Sequence, residues 1–390
     1  MIGRRRSILR ASLAAFFSAA VALTSPASAD PFYDATPEEL RGRPGSIIRV
    51  QPLGHAPHGA TAYKVLYRSE GLRNEPIAVS GVIVVPAGPA PQGGRPVVAW
   101  AHPTTGVARH CAPSLVPQVL SWIPGLDAML ARGYVVAATD YPGLGTVGPH
   151  PYLIGRSEGR AVIDSVRAAR AVPEWGASPQ FAIWGHSQGG HAALYAGELA
   201  PSYAPDLKLV GVAAAAPATE LAELFHADIH GIEGKVLGAF ALWSWSKVFD
   251  LSLEDVILPT APLVLRNIAG QCNVAEKQLL RIAFAEQAFE REGFLAVDIT
   301  KVEPWRKLMD ENTPRRMPEG IPVFIVQGTS DTVVRPRVTE KFRGALCRDG
   351  TPVMFVTVPG DHGASATLGA PAAVEWIAGR FAGQSTPSNC

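Results

Sequence analysis

The alternation of hydrophobic and polar positions changes character twice along this chain, and the two changes outline its architecture. Ile47–Val50, Ala62–Tyr67 and Ile77–Val85 are short runs rich in β-branched and aromatic residues, and predict strands of an antiparallel start to a sheet. A Pro/Gly loop, Pro86–Pro96, closes that section. From Val97 apolar strand runs alternate with helical patterns. Strands Val97–Trp100, Tyr134–Thr139, Gln180–Trp184 and Leu207–Ala216 interleave with helices Leu126–Arg132, Ser157–Val172 and Gln188–Ala200. Strands apolar on both faces need cover on both faces, so this stretch predicts a mainly parallel sheet flanked by helices.

Between Pro217 and about Thr313 the alternation stops, and long helical stretches such as Val274–Arg291 dominate. It resumes with strand Ile321–Val326, helix Arg337–Cys347, strand Val353–Val358 and the amphipathic helix Ala370–Phe381. The economical reading is an α/β core over 30–216 and 313–390, interrupted by a helical cap over 217–312. Asp30–Arg43, polar and Pro-bearing, reads as an arm on the surface.

The first 29 residues read as a targeting segment. Arg4-Arg5-Arg6 is a basic start, Ile8–Leu23 is largely apolar, and Ala27-Ser28-Ala29 is a small-residue cleavage site that would leave Asp30 as the mature start. Arg5-Arg6-Ser7-Ile8-Leu9-Arg10 also fits a twin-arginine export signal. The apolar run is short of the ~20 residues a membrane span needs. An exported protein without a span is therefore expected, with contact at lipid interfaces left open. Lys+Arg 35 against Asp+Glu 34 gives a net charge of +1, which removes any electrostatic argument for nucleic acid and points to a neutral small molecule. Four cysteines in an exported chain imply two disulfides, with three possible pairings. Cys111, Cys272, Cys347 and Cys390 lie too far apart for a zinc knuckle.

The chemistry centres on Ile183-Trp184-Gly185-His186-Ser187-Gln188-Gly189-Gly190. This is a G-x-S-x-G pattern between a predicted strand and a predicted helix, the context that exposes a serine hydroxyl at the end of a sheet. A serine hydroxyl is a weak nucleophile and needs a base, with a third group to orient that base. On the α/β-hydrolase fold the acid and then the histidine follow the serine, each in a loop after a later strand. Asp331, in Gly328-Thr329-Ser330-Asp331, and His362, in Gly360-Asp361-His362-Gly363, occupy those places. Asp140 and Asp361 compete for the acid, and His102, His110, His186 and His191 for the base. His226 and His230, four apart, would suit a metal but read better as a solvated or packed pair. The developing oxyanion needs N–H donors, worth roughly 3 to 4 kcal/mol each. The backbone of Gln188 is one candidate. Pro103 has no N–H, so Thr104 is the second, with Thr105 behind it.

Together, Ala101-His102-Pro103-Thr104-Thr105-Gly106, Thr139-Asp140-Tyr141-Pro142-Gly143-Leu144-Gly145, the serine turn and the Asp331 and His362 loops make the chain resemble the secretory lipase family of α/β hydrolases. The resemblance implies a serine hydrolase acting on carboxylic esters or lipids, a lipase or carboxylesterase, with a helical lid after the sixth core strand and no cofactor or metal. It also implies disulfides pairing Cys111 with Cys272 and Cys347 with Cys390. Proline at 103 departs from the glycine common in this type of loop. Two rivals stand beside this reading: a serine peptidase on the same fold, and a non-catalytic binding protein that kept the fold. The run Val236–Trp245 is apolar on nearly every side, which suits either an acyl-binding wall or the cap's own core.

Overall fold

The computed structural model describes residues 30–53, 56–228, 231–273 and 293–390. The targeting segment 1–29, the helix expected over Val274–Arg291 and His230 lie outside the described residues. Among those described, β1 (Ile47–Pro52), β2 (Thr61–Glu70), β3 (Pro76–Val85), β4 (Arg95–Ala101), β5 (Val135–Thr139), β6 (Ala177–His186), β7 (Lys208–Ala215), β8 (Val323–Gly328) and β9 (Val353–Val358) build one sheet. Its order is β1-β2-β3-β5-β4-β6-β7-β8-β9. The first three pair antiparallel and β3 joins β5 antiparallel, whereas every pairing from β5 through β4 to β9 is parallel.

Parallel neighbours need long crossovers, and helices supply them on both faces. Val97 and Ala99 of β4 belong to a buried cluster that takes in residues of helices Gly155–Arg170, Gln188–Tyr203 and Pro336–Arg348. Their alternates Val98 and Trp100 belong to a second cluster that takes in residues of helices Leu126–Ala131 and Ala370–Phe381. The side-chain period of two along each strand thus divides the core into two layers. β8 starts at Val323, two residues later than its apolar pattern suggests, because Pro322 lacks the N–H a ladder requires.

Residues 217–312 lie between β7 and β8. Their described part holds helices Leu221–Asp228, Ile232–Val248, Pro262–Ala269 and Trp305–Glu311 around a hydrophobic cluster of their own, which also takes in Tyr152, Leu153 and Val334. Phe240, Leu242 and Trp245 fill that cluster. One departure from expectation concerns the arm after Asp30. Phe32 and Tyr33 are buried against Leu66 rather than lying on the surface. Two aromatic rings gain more from burial than a short polar arm loses by being ordered.

Cys111 is bonded to Cys272, and Cys347 to Cys390. The first joins the segment after β4 to residues of the insert, beside a backbone bridge from Gly106 to Cys272. The second anchors the C-terminal tail, where Asn389 donates its backbone N–H to Val353 O at 2.9 Å.

Candidate active site

Sheet topology makes the crevice. From β4 the chain crosses to β5 on one side and then to β6 on the other, so the loops leaving the carboxyl ends of β4 and β6 part there, the usual place for a ligand. Residues 102–106 leave β4, and Ser187 leaves β6.

Ser187 has φ +57° and ψ −117°, a conformation that L-residues avoid and that persists only where its surroundings enforce it. Three hydrogen bonds do so: Ser187 N–H donates to Ala215 O at 2.9 Å, and Ser187 O accepts from His191 N (3.0 Å) and Ala218 N (3.2 Å). The flanking glycines allow the approach. A Cβ at Gly185 would lie 2.1 Å from Gly189 O, and one at Gly189 would lie 1.9 Å from Ala101 O. Strand, turn and helix therefore meet backbone to backbone, with Ser187 facing a narrow apolar cavity walled by Tyr152, Leu224, Phe225, Leu237 and Val333. The Val236–Trp245 run thus contributes to both places, with Leu237 at the cavity and Phe240 in the insert's core.

Asp331 is buried on the turn after β8. Its Oδ1 accepts from the backbone N–H groups of Val333 and Val334, both at 2.9 Å, and its Oδ2 from Gln327 Nε2 at 3.0 Å and His362 Nδ1 at 2.8 Å. Burial pushes the Asp331 carboxyl up. The His362 hydrogen bond and charge, with the Val334 and Val333 donors, outweigh it and hold the group below the usual carboxylate range. A carboxylate bonded to Nδ1–H fixes the tautomer and leaves the Nε2 lone pair free to take a proton. The His362 side chain is 18% exposed, while that of Asp331 beneath it is fully covered.

His186 links this pair to Ser187. Its Nε2–H donates to His362 O at 3.0 Å and its ring packs 4.7 Å from the His362 ring. Burial, then the neighbouring His362, lowers His186 to about 3, so it stays neutral and acts as a donor. Among the described residues no hydrogen bond joins Ser187 Oγ to His362; such contacts commonly tighten only around a bound substrate. Gln188 opens its helix, so its N–H has no intrahelical partner. Thr104 Oγ1 lies 2.9 Å from Tyr152 OH, Thr104 O accepts from Asn273 Nδ2 at 3.2 Å, and Thr105 Oγ1 is buried without a partner.

The competing residues have other partners. Asp361 caps the helix His362–Thr367, accepting from Ala364 N at 3.0 Å. Asp140 is buried against Ser80 and Ser114, and burial pushes it up to about 6. His102 is lowered to about 4 by burial, with Pro103 O and Asp140 O facing its two nitrogens. His191 is buried against Glu158. His110 lies beside Cys111 and Cys272, whose sulfurs are bonded to each other and so are not metal ligands. His226 is exposed, 3.6 Å from Asp298. Gln327 and Glu158 were not singled out by sequence reasoning. The signal available was a polar residue ending the apolar strand β8 in one case, and an acid on the buried face of an amphipathic helix in the other.

The strand order, the crevice and the strained strand–turn–helix define the class, an α/β-hydrolase fold. Residues 124–389 match the secretory lipase family, and the chain belongs to that family. Lipase A of Arthroderma benhamiae is 26% identical over 94% of this chain and 82% of its own length. A protein from Mycobacterium tuberculosis named as a probable inactive lipase is 25% identical over 92% of this chain and 83% of its own. The crystal structure of Candida antarctica lipase A superposes with a TM-score of 0.75 at 20% identity, covering 93% of this chain and 87% of that one. Among the described residues no helix is long and apolar enough to cross a membrane.

Proposed function

We propose that this protein is an exported serine hydrolase that cleaves carboxylic esters, a lipase or carboxylesterase, through an acyl-enzyme. Ser187 attacks the ester carbonyl, His362 Nε2 takes its proton and delivers it to the departing alkoxide, and Asp331 holds the imidazole. Water then releases the acid by the reverse route. The N–H groups of Gln188 and Thr104 receive the oxyanion. Residues 217–312 act as the lid, and the apolar cavity at Ser187 takes the acyl chain. The two disulfides fit an oxidising destination after cleavage of the first 29 residues.

The observation that carries this reading is the 2.8 Å bond from His362 to buried Asp331, in loops that leave the carboxyl ends of β9 and β8 as the strained Ser187 leaves that of β6. Family membership alone would not carry it, since one relative is named as inactive. The peptidase rival needs acidic groups in the insert to recognise a substrate amine. Glu220 and Glu223 are instead both paired with Lys341, at 2.6 and 2.9 Å, which favours the ester. Ser187→Ala is expected to abolish hydrolysis of p-nitrophenyl esters while the protein stays folded, and a fluorophosphonate is expected to label wild type but not the variant. Turnover by folded Ser187→Ala, or no labelling of folded wild type, would sink the assignment.

A further inference from the structure

Glu158 and His191 have no solvent-exposed side-chain surface at all. Glu158 Oε1 accepts from the Gln188 side-chain Nε2 at 2.6 Å and from the Leu153 backbone N–H at 2.9 Å, and Oε2 lies 3.0 Å from His191 Nδ1. The acceptors dictate where the hydrogens sit. Asn312 O, 2.8 Å from His191 Nε2, is a carbonyl, so that nitrogen carries its hydrogen. Pro142 O likewise takes His150 Nδ1–H at 2.9 Å, which leaves His150 Nε2 to accept the second Gln188 amide hydrogen at 3.0 Å. Burial lowers His150, consistent with this neutral form. Glu158 Oε2 and His191 Nδ1 face each other across the remaining hydrogen bond of this buried cluster.

The two anchors of Glu158 lead to the two N–H groups assigned above to the oxyanion. Gln188 supplies one from its backbone, and Glu158 and His150 hold both hydrogens of its side-chain amide. Leu153 sits at φ +54°, a conformation costly for leucine, and Glu158 accepts its N–H. The adjoining Tyr152 places its hydroxyl on Thr104, the other donor residue. A buried carboxylate–imidazole contact is weak evidence for stability, because desolvation offsets the attraction. The hydrogen bonds of Glu158 to the Gln188 side chain and to Leu153, next to the Tyr152 that bonds Thr104, call for another role. We propose that Glu158 is a positioning residue that keeps the Gln188 and Thr104 donors in register for the transition state. The proposal rests on the ester-hydrolase reading.

Steady-state kinetics of the full chain on a soluble p-nitrophenyl ester test it. Glu158→Ala is expected to lower kcat roughly 10- to 100-fold with KM within about twofold, the pattern of a group acting only in the transition state. Glu158→Gln keeps the Oε1 acceptor and can donate to His191 Nδ1, so it is expected to recover most of the rate. In a Gln188→Ala background Glu158→Ala is expected to cost clearly less than in wild type, whereas a merely structural role gives additive losses. Folded Glu158→Ala with kcat within about twofold of wild type overturns the proposal. Where Glu158→Ala does not fold, Gln188→Ala decides: an unchanged kcat overturns the proposal, and a loss of about tenfold or more with unchanged KM supports it. Ser187→Ala in parallel separates the two claims. Retained turnover overturns both, while a dead Ser187→Ala beside an undiminished Glu158→Ala overturns the positioning role alone.

Discussion

Ser187 occupies a backbone conformation that no local preference explains, and it does so because its own N–H and C=O are tied both to the end of β7 and just beyond it, at Ala215 and Ala218, and to the helix that follows Ser187. The same logic of imposed geometry governs Asp331, whose oxygens are held by Val333, Val334 and Gln327 before they meet His362. Asp331→Asn preserves that shape but favours the wrong imidazole tautomer, and a fall in kcat of about 10⁴ is expected, read by steady-state kinetics. His186 gives a pH signature. Its folded pKa is about 3 against an ordinary 6.5, so below pH 6.5 the unfolded chain binds a proton that the folded chain refuses. Its contribution to stability is complete above pH 6.5 and declines as pH falls toward 3, by up to about 1.4 kcal/mol per unit. His186→Gln keeps a donor for His362 O and removes this dependence. Urea midpoints measured from pH 6.5 to 4.5 are expected to fall less steeply for the variant than for wild type.

At the scale of elements, the helix Gln188–Tyr203 abuts the end of β4 with no room for a side chain between them. A methyl at Gly189 would sit 1.9 Å from Ala101 O, and backbone on both sides leaves nothing flexible to yield. Gly189→Ala is therefore expected to destabilise by about 1–3 kcal/mol or more and to lose activity, because relief requires moving the loop that carries Thr104. Gly363 offers the contrast. The nearest atom to a Cβ there is Asp361 Oδ1 at 3.7 Å, so Gly363→Ala is expected to lie within about 0.5 kcal/mol of wild type by urea denaturation.

Across the whole molecule, the two disulfides close loops of very different reach. Cys111–Cys272 spans 161 residues and Cys347–Cys390 spans 43, which by chain entropy alone corresponds to about 5 and about 4 kcal/mol. Only the first joins residues of the insert to the segment that follows the 102–106 loop, where Asn273 N–H donates to Thr105 O at 2.7 Å. Replacing Cys347 and Cys390 with alanine is expected to lower the denaturation midpoint and leave kcat unchanged. Replacing Cys111 and Cys272 is expected to lower both. Equal kcat in the two double variants would show that the insert and the 102–106 loop are not mechanically linked.

Much of this was legible in residue order. Strand–helix alternation from Val97, its interruption at Pro217 and the serine turn with later Asp331 and His362 loops follow from periodicity and local chemistry, which act within a few residues. The Phe32–Tyr33 anchor, Gln327 beneath Asp331, the His186 link and the Glu158 cluster were not, since each depends on which distant segments the sheet order brings together. Asp140 and Asp361 show the division most plainly. As residues in a string they are carboxylates like Asp331. Only folding gives one to Ser80 and Ser114, one to a helix N-terminus and one to an imidazole, because hydrogen-bond partners are assigned by three-dimensional packing and not by neighbours along the chain.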